Sequence, residues 1–274
     1  MPQLAYAATQ LTRRLAGNTP ALATFLPAGF PDRTSCVDLL HTLVQHGADI
    51  LEIGVPVPAP SLDGPSITAA YRQSLAQGIH MDDVLATVRE AGEAGAPVMV
   101  MSYWQVVVDH GIRRFAYELA EAGAAGAMVP DLPVSQAKPW LEAADEAGIH
   151  VPQFAPRTAD NVQLTRIAVA ASGWIYAPAV HAATGYEGTL DVRAFEQFTE
   201  RLRAVTQQPV VAGIGISTPE HARQVAPYAD GVVVGTPLIR PLLTQSWPKG
   251  SAQTTALAAA FAEALRTPAA PRAA

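Results

Sequence analysis

Two carboxylates eleven residues apart, Glu52 and Asp63, are the residues in this chain best placed by type and spacing to move protons. Glu52 interrupts an apolar run, Ile50, Leu51, Ile53 and Val55, which reads as a buried strand. A carboxylate there is costly unless it is paired or neutralised. Asp63 stands in the proline-rich loop after the same strand, where Asp63-Gly64-Pro65 opens a helix-like segment. Two acids held in different surroundings at one strand end make an acid/base pair. The plainer alternative stays open at this point: a satisfied core acid, and a turn residue before Gly-Pro.

A second cluster suits anion binding. Thr184-Gly185, Gly213-Ile214-Gly215 and Gly235-Thr236 each follow an apolar run late in the chain. Glycine lets the backbone approach an anion closely, and amides at a helix start then donate to it. No lysine lies in these three loops, so main-chain amides and the Thr236 hydroxyl would carry the binding. Tight turns are the alternative role for each glycine taken singly. The third glycine of a dinucleotide fingerprint is missing at its offset.

The elements that position these residues alternate. Apolar strands are expected at 21–27, 48–55, 97–102, 126–130, 149–154, 173–178, 209–214 and 229–235. Helices are expected at 35–46, 66–77, 81–94, 111–122, 134–147, 158–171, 192–205, 219–226 and 254–266. Continuous apolar strands suggest a parallel sheet covered on both faces. Eight such units in 274 residues predict a single (β/α)8 TIM barrel, with an extra N-terminal helix over about 1–17 and a flexible tail over about 267–274. A doubly wound open sheet is the other arrangement of the same units. In the barrel, catalytic loops follow the strand C-termini, and phosphate sits after strands seven and eight.

Composition narrows the function. Hydrophobic residues make up 49% and charged residues 15%, which supplies a large core. A formal charge of −6 argues against nucleic acid as a general partner. One cysteine, Cys36, excludes an intrachain disulfide and a cysteine zinc cluster. No signal peptide or membrane span is read, so a cytoplasmic protein is expected. A Schiff-base aldolase needs a strand-borne lysine, and none of the expected strands has one. The seven histidines, 41, 46, 80, 110, 150, 181 and 221, are scattered, so no metal site is expected. His181 is the one near the expected pocket.

Several motifs, in order, resemble the tryptophan synthase α subunit family: LEIGVP with Glu52, LDGP with Asp63, MSYW with Tyr103, VPDLPV with Asp131, ATG with Thr184-Gly185, GIGIS with Gly215, and VVVGTP with Gly235-Thr236. The resemblance runs from about residue 21 to 240. It implies a lyase that cleaves indole-3-glycerol phosphate to indole and glyceraldehyde 3-phosphate without a cofactor. It assigns the proton transfers to Glu52 and the indole N–H to Asp63. Phe25, Tyr103, Met128 and Tyr176 would contact the substrate's ring end, and Thr184, Gly185, Gly215, Gly235 and Thr236 its phosphate end. A PLP-dependent β subunit is the implied partner, in an α2β2 complex. Departures bear on that partner: Pro58, Ala59, Gln105, Val106 and the stretch 179–183 differ from the family's usual loops. They leave two versions, a coupled α subunit and a free-standing, indole-releasing relative. A non-catalytic, phosphate-ligand-binding or regulatory barrel is the alternative of a different class.

Overall fold

The computed structural model describes residues 4–267; residues 1–3 and the rest of the expected tail lie outside them. The chain opens with α1 (Leu4–Leu15), then runs β1 (Ala21–Pro27), α2 (Arg33–Gln45), β2 (Ile50–Gly54), α3 (Pro65–Ala76), α4 (Met81–Gly92), β3 (Val98–Met101), α5 (Trp104–His110), α6 (Ile112–Glu121), β4 (Ala124–Met128), α7 (Lys138–Ala147), β5 (Gln153–Phe154), α8 (Asn161–Ala170), β6 (Ile175–Pro178), α9 (Val192–Arg203), β7 (Val210–Gly213), α10 (Pro219–Val225), β8 (Gly231–Val234), α11 (Thr236–Thr244) and α12 (Trp247–Arg266).

All strands pair in parallel, in the order β4-β3-β2-β1-β8-β7-β6-β5. The ring closes between β4 and β5 through one bridge, Gly126 to His150. Ala127 N donates to His150 O, and His150 N donates to Ala125 O, each at 2.9 Å. This is the eight-stranded barrel, and it excludes the open sheet. On the outside, α1 packs near that closure, where the His150 imidazole lies 3.3 Å from both Thr12 Oγ1 and Ala8 O.

Local chemistry sets the helix starts. Asp32 accepts from Ser35 N at 2.9 Å ahead of α2. Asp160 and Gln163 satisfy each other's backbone N–H groups ahead of α8, a capping box. Thr218 accepts from His221 N ahead of α10. The strands are almost wholly buried, as their unbroken apolar sequences require.

Besides the last helix, which begins at Trp247 and not near 254, the elements depart from expectation in three places. Helix α5 falls where a loop is expected, because Asp131 reaches over from the loop after β4 and accepts from Trp104 N at 2.9 Å. Helix α11 follows β8 directly in spite of Pro237 and Pro241. Pro237 falls in the first turn, where no intrahelical donor is needed. Strand β5 keeps only two residues of the six expected; Pro152 stands just before it and has no N–H for a ladder.

Candidate active site

The strand C-termini and the loops beyond them line a cavity open to solvent. Glu52 enters it from β2, in register with Phe25 of β1 and Met99 of β3. Its side chain is 3% exposed, and its Oε1 has no hydrogen-bond partner among the described residues. Burial pushes the carboxyl up to about 8, and the nearby Asp63 charge adds to the shift. An acid so placed holds its proton near neutrality and can both give and take one.

Asp63 is held quite differently. Tyr103 Oη donates to its Oδ2 at 2.7 Å, and Thr184 Oγ1 donates to its Oδ1 at 3.4 Å. Burial raises the Asp63 pKa, while these two donors oppose the rise. The same two side chains fasten the backbone around it. Leu62 N donates to Tyr103 Oη at 3.3 Å, and Gly64 N donates to Thr184 Oγ1 at 2.7 Å. Thr184 N donates to Leu62 O at 3.4 Å. The loops after β2, β3 and β6 therefore meet at one carboxylate.

Aromatic and thioether side chains form the walls. Phe25, Met101, Met128, Phe154 and Tyr176 all line the cavity. Tyr176 stacks on Phe154 with centroids 5.7 Å apart, and its hydroxyl accepts from Ile214 N at 3.1 Å. Burial, then the Glu52 charge, keeps the Tyr176 hydroxyl far from ionisation. Tyr103 does not line the cavity; it stands behind Asp63 as a hydrogen-bond donor, itself held neutral by burial and by that carboxylate.

Thr184, Gly185, Gly215, Ser217, Gly235 and Thr236 also line the cavity. Gly215 has φ +102°, a conformation that favours glycine. His221 Nδ1 braces this turn, 3.1 Å from Gly215 O and 3.2 Å from Ser217 Oγ. Gly235 is the N-cap of α11 and Thr236 its first residue, an arrangement suited to an anion.

Thus Phe25, Glu52, Asp63, Met128, Tyr176, Thr184, Gly185, Gly215, Gly235 and Thr236 line one cavity. His181 lies exposed on the loop after β6 and does not line it. Met101, Phe154 and Ser217 escape the sequence reading, and so do two residues of more consequence. Tyr71, on α3, is fully buried with its ring edge against Phe25, centroids 6.5 Å apart. Its position one turn beyond Ile67 on the helix after Asp63 is the signal that could have found it. Arg240, on α11, also lines the cavity; it stands one helical turn past the glycine loops, which carry no lysine of their own. Among the described residues, no group of three or more His, Cys, Asp or Glu side chains is placed to hold a metal ion.

A buried proton-holding acid, a fixed carboxylate and glycine turns beside a helix start on one barrel cavity suit a class: barrel enzymes that move protons on an anionic substrate. The tryptophan synthase alpha chain family model matches residues 11–267. The alpha chain of Streptomyces coelicolor is 40% identical over 224 residues, 81% of this chain and 82% of that one. The Thermobifida fusca alpha chain is 40% identical over 83% of this chain and 87% of its own. A Mycobacterium tuberculosis tryptophan synthase structure superposes with a TM-score of 0.85 at 32% identity, covering 96% of this chain and 98% of that one. A Legionella pneumophila alpha chain structure gives 0.83 at 29% identity, covering 95% and 97%. The chain belongs to the tryptophan synthase alpha chain family.

Proposed function

We propose that this chain is a carbon–carbon lyase that splits indole-3-glycerol phosphate into indole and glyceraldehyde 3-phosphate. The observation that carries the reading is the shared cavity: Glu52, Asp63 and the glycine turns all line one space.

The chemistry follows from the two carboxyl groups. Glu52, protonated near neutrality, delivers its proton to indole C3. The ring then carries positive charge at nitrogen, and the ionised Asp63 facing the N–H stabilises it. Glu52, now a carboxylate, removes the proton from the hydroxyl on the neighbouring glycerol carbon. The C–C bond breaks, its electron pair returns to the ring, and the hydroxyl carbon becomes the aldehyde. Glu52 ends protonated, so no cofactor is consumed. Phe25, Met128 and Tyr176 pack the ring, Tyr103 orients Asp63, and Thr184, Gly185, Gly215, Gly235 and Thr236 take the phosphate. A non-catalytic barrel gives no reason to bury an unpartnered carboxyl oxygen against an open cavity.

The reading extends to a cytoplasmic setting and to the partner. Among the described residues, no helix is long and apolar enough to cross a membrane. Docking of a PLP-containing β subunit falls on loops that here carry Ala59, Gln105 and Val106. These departures from the family's usual loops favour turnover without a partner. Incubation of the purified chain with indole-3-glycerol phosphate, with free indole as the readout, tests the activity. Indole release by the wild type and its loss in Asp63→Asn is the expected result, and no release with or without a β subunit refutes the lyase. Stimulation of tenfold or more by a β subunit refutes the free-standing version.

A further inference from the structure

The cavity is charged unevenly along its length. Glu52 and Asp63 are its two acids, and Arg240 is the one lysine or arginine among the residues that line it. Arg240 sits on α11, four residues beyond Thr236. Its guanidinium is turned toward the loop after β6. Nη2 lies 4.0 Å from where a Cβ on Gly185 would stand, and Nη1 pairs with Glu187 Oε1. Glu187 follows Gly185 by two residues and Thr184 by three, on the segment that also donates to Asp63.

The pair stands in water, with the arginine side chain 42% and the glutamate 64% exposed. Such a pair is weakly held. A phosphate dianion is a stronger competitor than a monovalent carboxylate. It brings about twice the charge, and its oxygens match the guanidinium fork in a two-pronged contact. Thr236 and this guanidinium both approach the position of a Cβ on Gly185, and Gly185 and Thr236 are themselves anion-site candidates.

We propose that Arg240 is a phosphate-binding side chain that exchanges the Glu187 carboxylate for the phosphate group of the substrate. The inference rests on the phosphate end of the reaction above, not on the bond cleavage. Before binding, Glu187 parks the guanidinium at the cavity mouth. When the dianion arrives, the guanidinium turns inward and the glutamate is released to solvent. Glu187 therefore competes with the ligand, so its removal and the removal of Arg240 act in opposite directions. A purely structural ion pair has no such asymmetry, because deleting either partner breaks the same contact.

Calorimetric titration of the full-length chain with sn-glycerol 3-phosphate at low salt and pH 8 reads this directly, since the probe is a dianion without a ring. Arg240→Gln should weaken binding about tenfold, and Glu187→Gln should tighten it about threefold. Indole, which is neutral, should bind all three proteins alike, a control for folding of the ring end. With indole-3-glycerol phosphate, Arg240→Gln should raise KM by more than it lowers kcat. Arg240→Gln within twofold of wild type, or both variants weakened together, would reduce the pair to a structural fastening and overturn the proposal. A wild type that releases indole but does not bind the probe at millimolar concentration overturns it as well. Binding that behaves as expected in a chain that releases no indole sinks the lyase reading alone.

Discussion

Replacing Glu52 by Gln should make the protein more stable as the pH rises while destroying its activity. The sign follows from the raised carboxyl. In the unfolded chain residue 52 loses its proton near 4.5, whereas in the fold it keeps it up to about 8. Between those values the folded state binds the extra proton, so raising the pH favours unfolding. With the side chain only 3% exposed, solvent screening offers little relief. The wild type should lose about 3 to 4 kcal/mol of stability from this group between pH 5 and 8. Glutamine has nearly the shape of the protonated acid and cannot ionise, so that loss disappears. For a chain of this size the difference in Tm between variant and wild type should widen by roughly 6 °C across the interval. Thermal melts of both proteins at half-unit steps from pH 4 to 9 measure it, and titrations not coupled to Glu52 cancel in the difference. Indole release by the variant should fall about 10³-fold or more. A Tm difference that stays flat with pH would mean that Glu52 ionises normally in the fold, and the assignment of proton transfer to it would fail.

Two further substitutions probe the fixed carboxylate. Tyr103→Phe removes a donor that opposes the burial-driven rise of the Asp63 pKa, so the acid limb of kcat/KM should move to higher pH and kcat should fall about tenfold; an acid limb that does not move would sever Tyr103 from Asp63. Gly64→Ala would set a Cβ 2.0 Å from Thr184 O, which forces the loops after β2 and β6 apart. Its kcat/KM should drop about tenfold or more with only a small change in melting temperature, and full activity would show that this contact is dispensable.

Much of the barrel is written locally. The stretch Ala21–Pro27 carries its own boundaries, an apolar run closed by the Ala28-Gly29 turn, and β1 has those limits. Glu52 and Asp63 stand out because an acid in an apolar run and an acid before Gly-Pro are each conspicuous. What escapes depends on partners distant in sequence. Helix α5 begins on a run, Trp104 to Val108, that favours strand as much as helix, and its first N–H is satisfied by Asp131 from another loop. Helix α11 hides behind two prolines that normally mark a boundary. Arg240 escapes because a long side chain reaches back along its helix toward a loop that reads, residue by residue, as having no cation.

The single bridge that joins β4 to β5 gives the ring one soft joint. Met128 and Phe154 end the two strands that flank it, and both belong to the wall around the aromatic part of the ligand. On the other side of β5, β6 pairs with β7 over four residues and β7 with β8 over two, and the turns after these strands carry the anion-site candidates. Compliance is thus divided between the two ends of the ligand. A bulkier ring system should therefore be met first on the Met128–Phe154 side of the barrel, before any change at the phosphate turns.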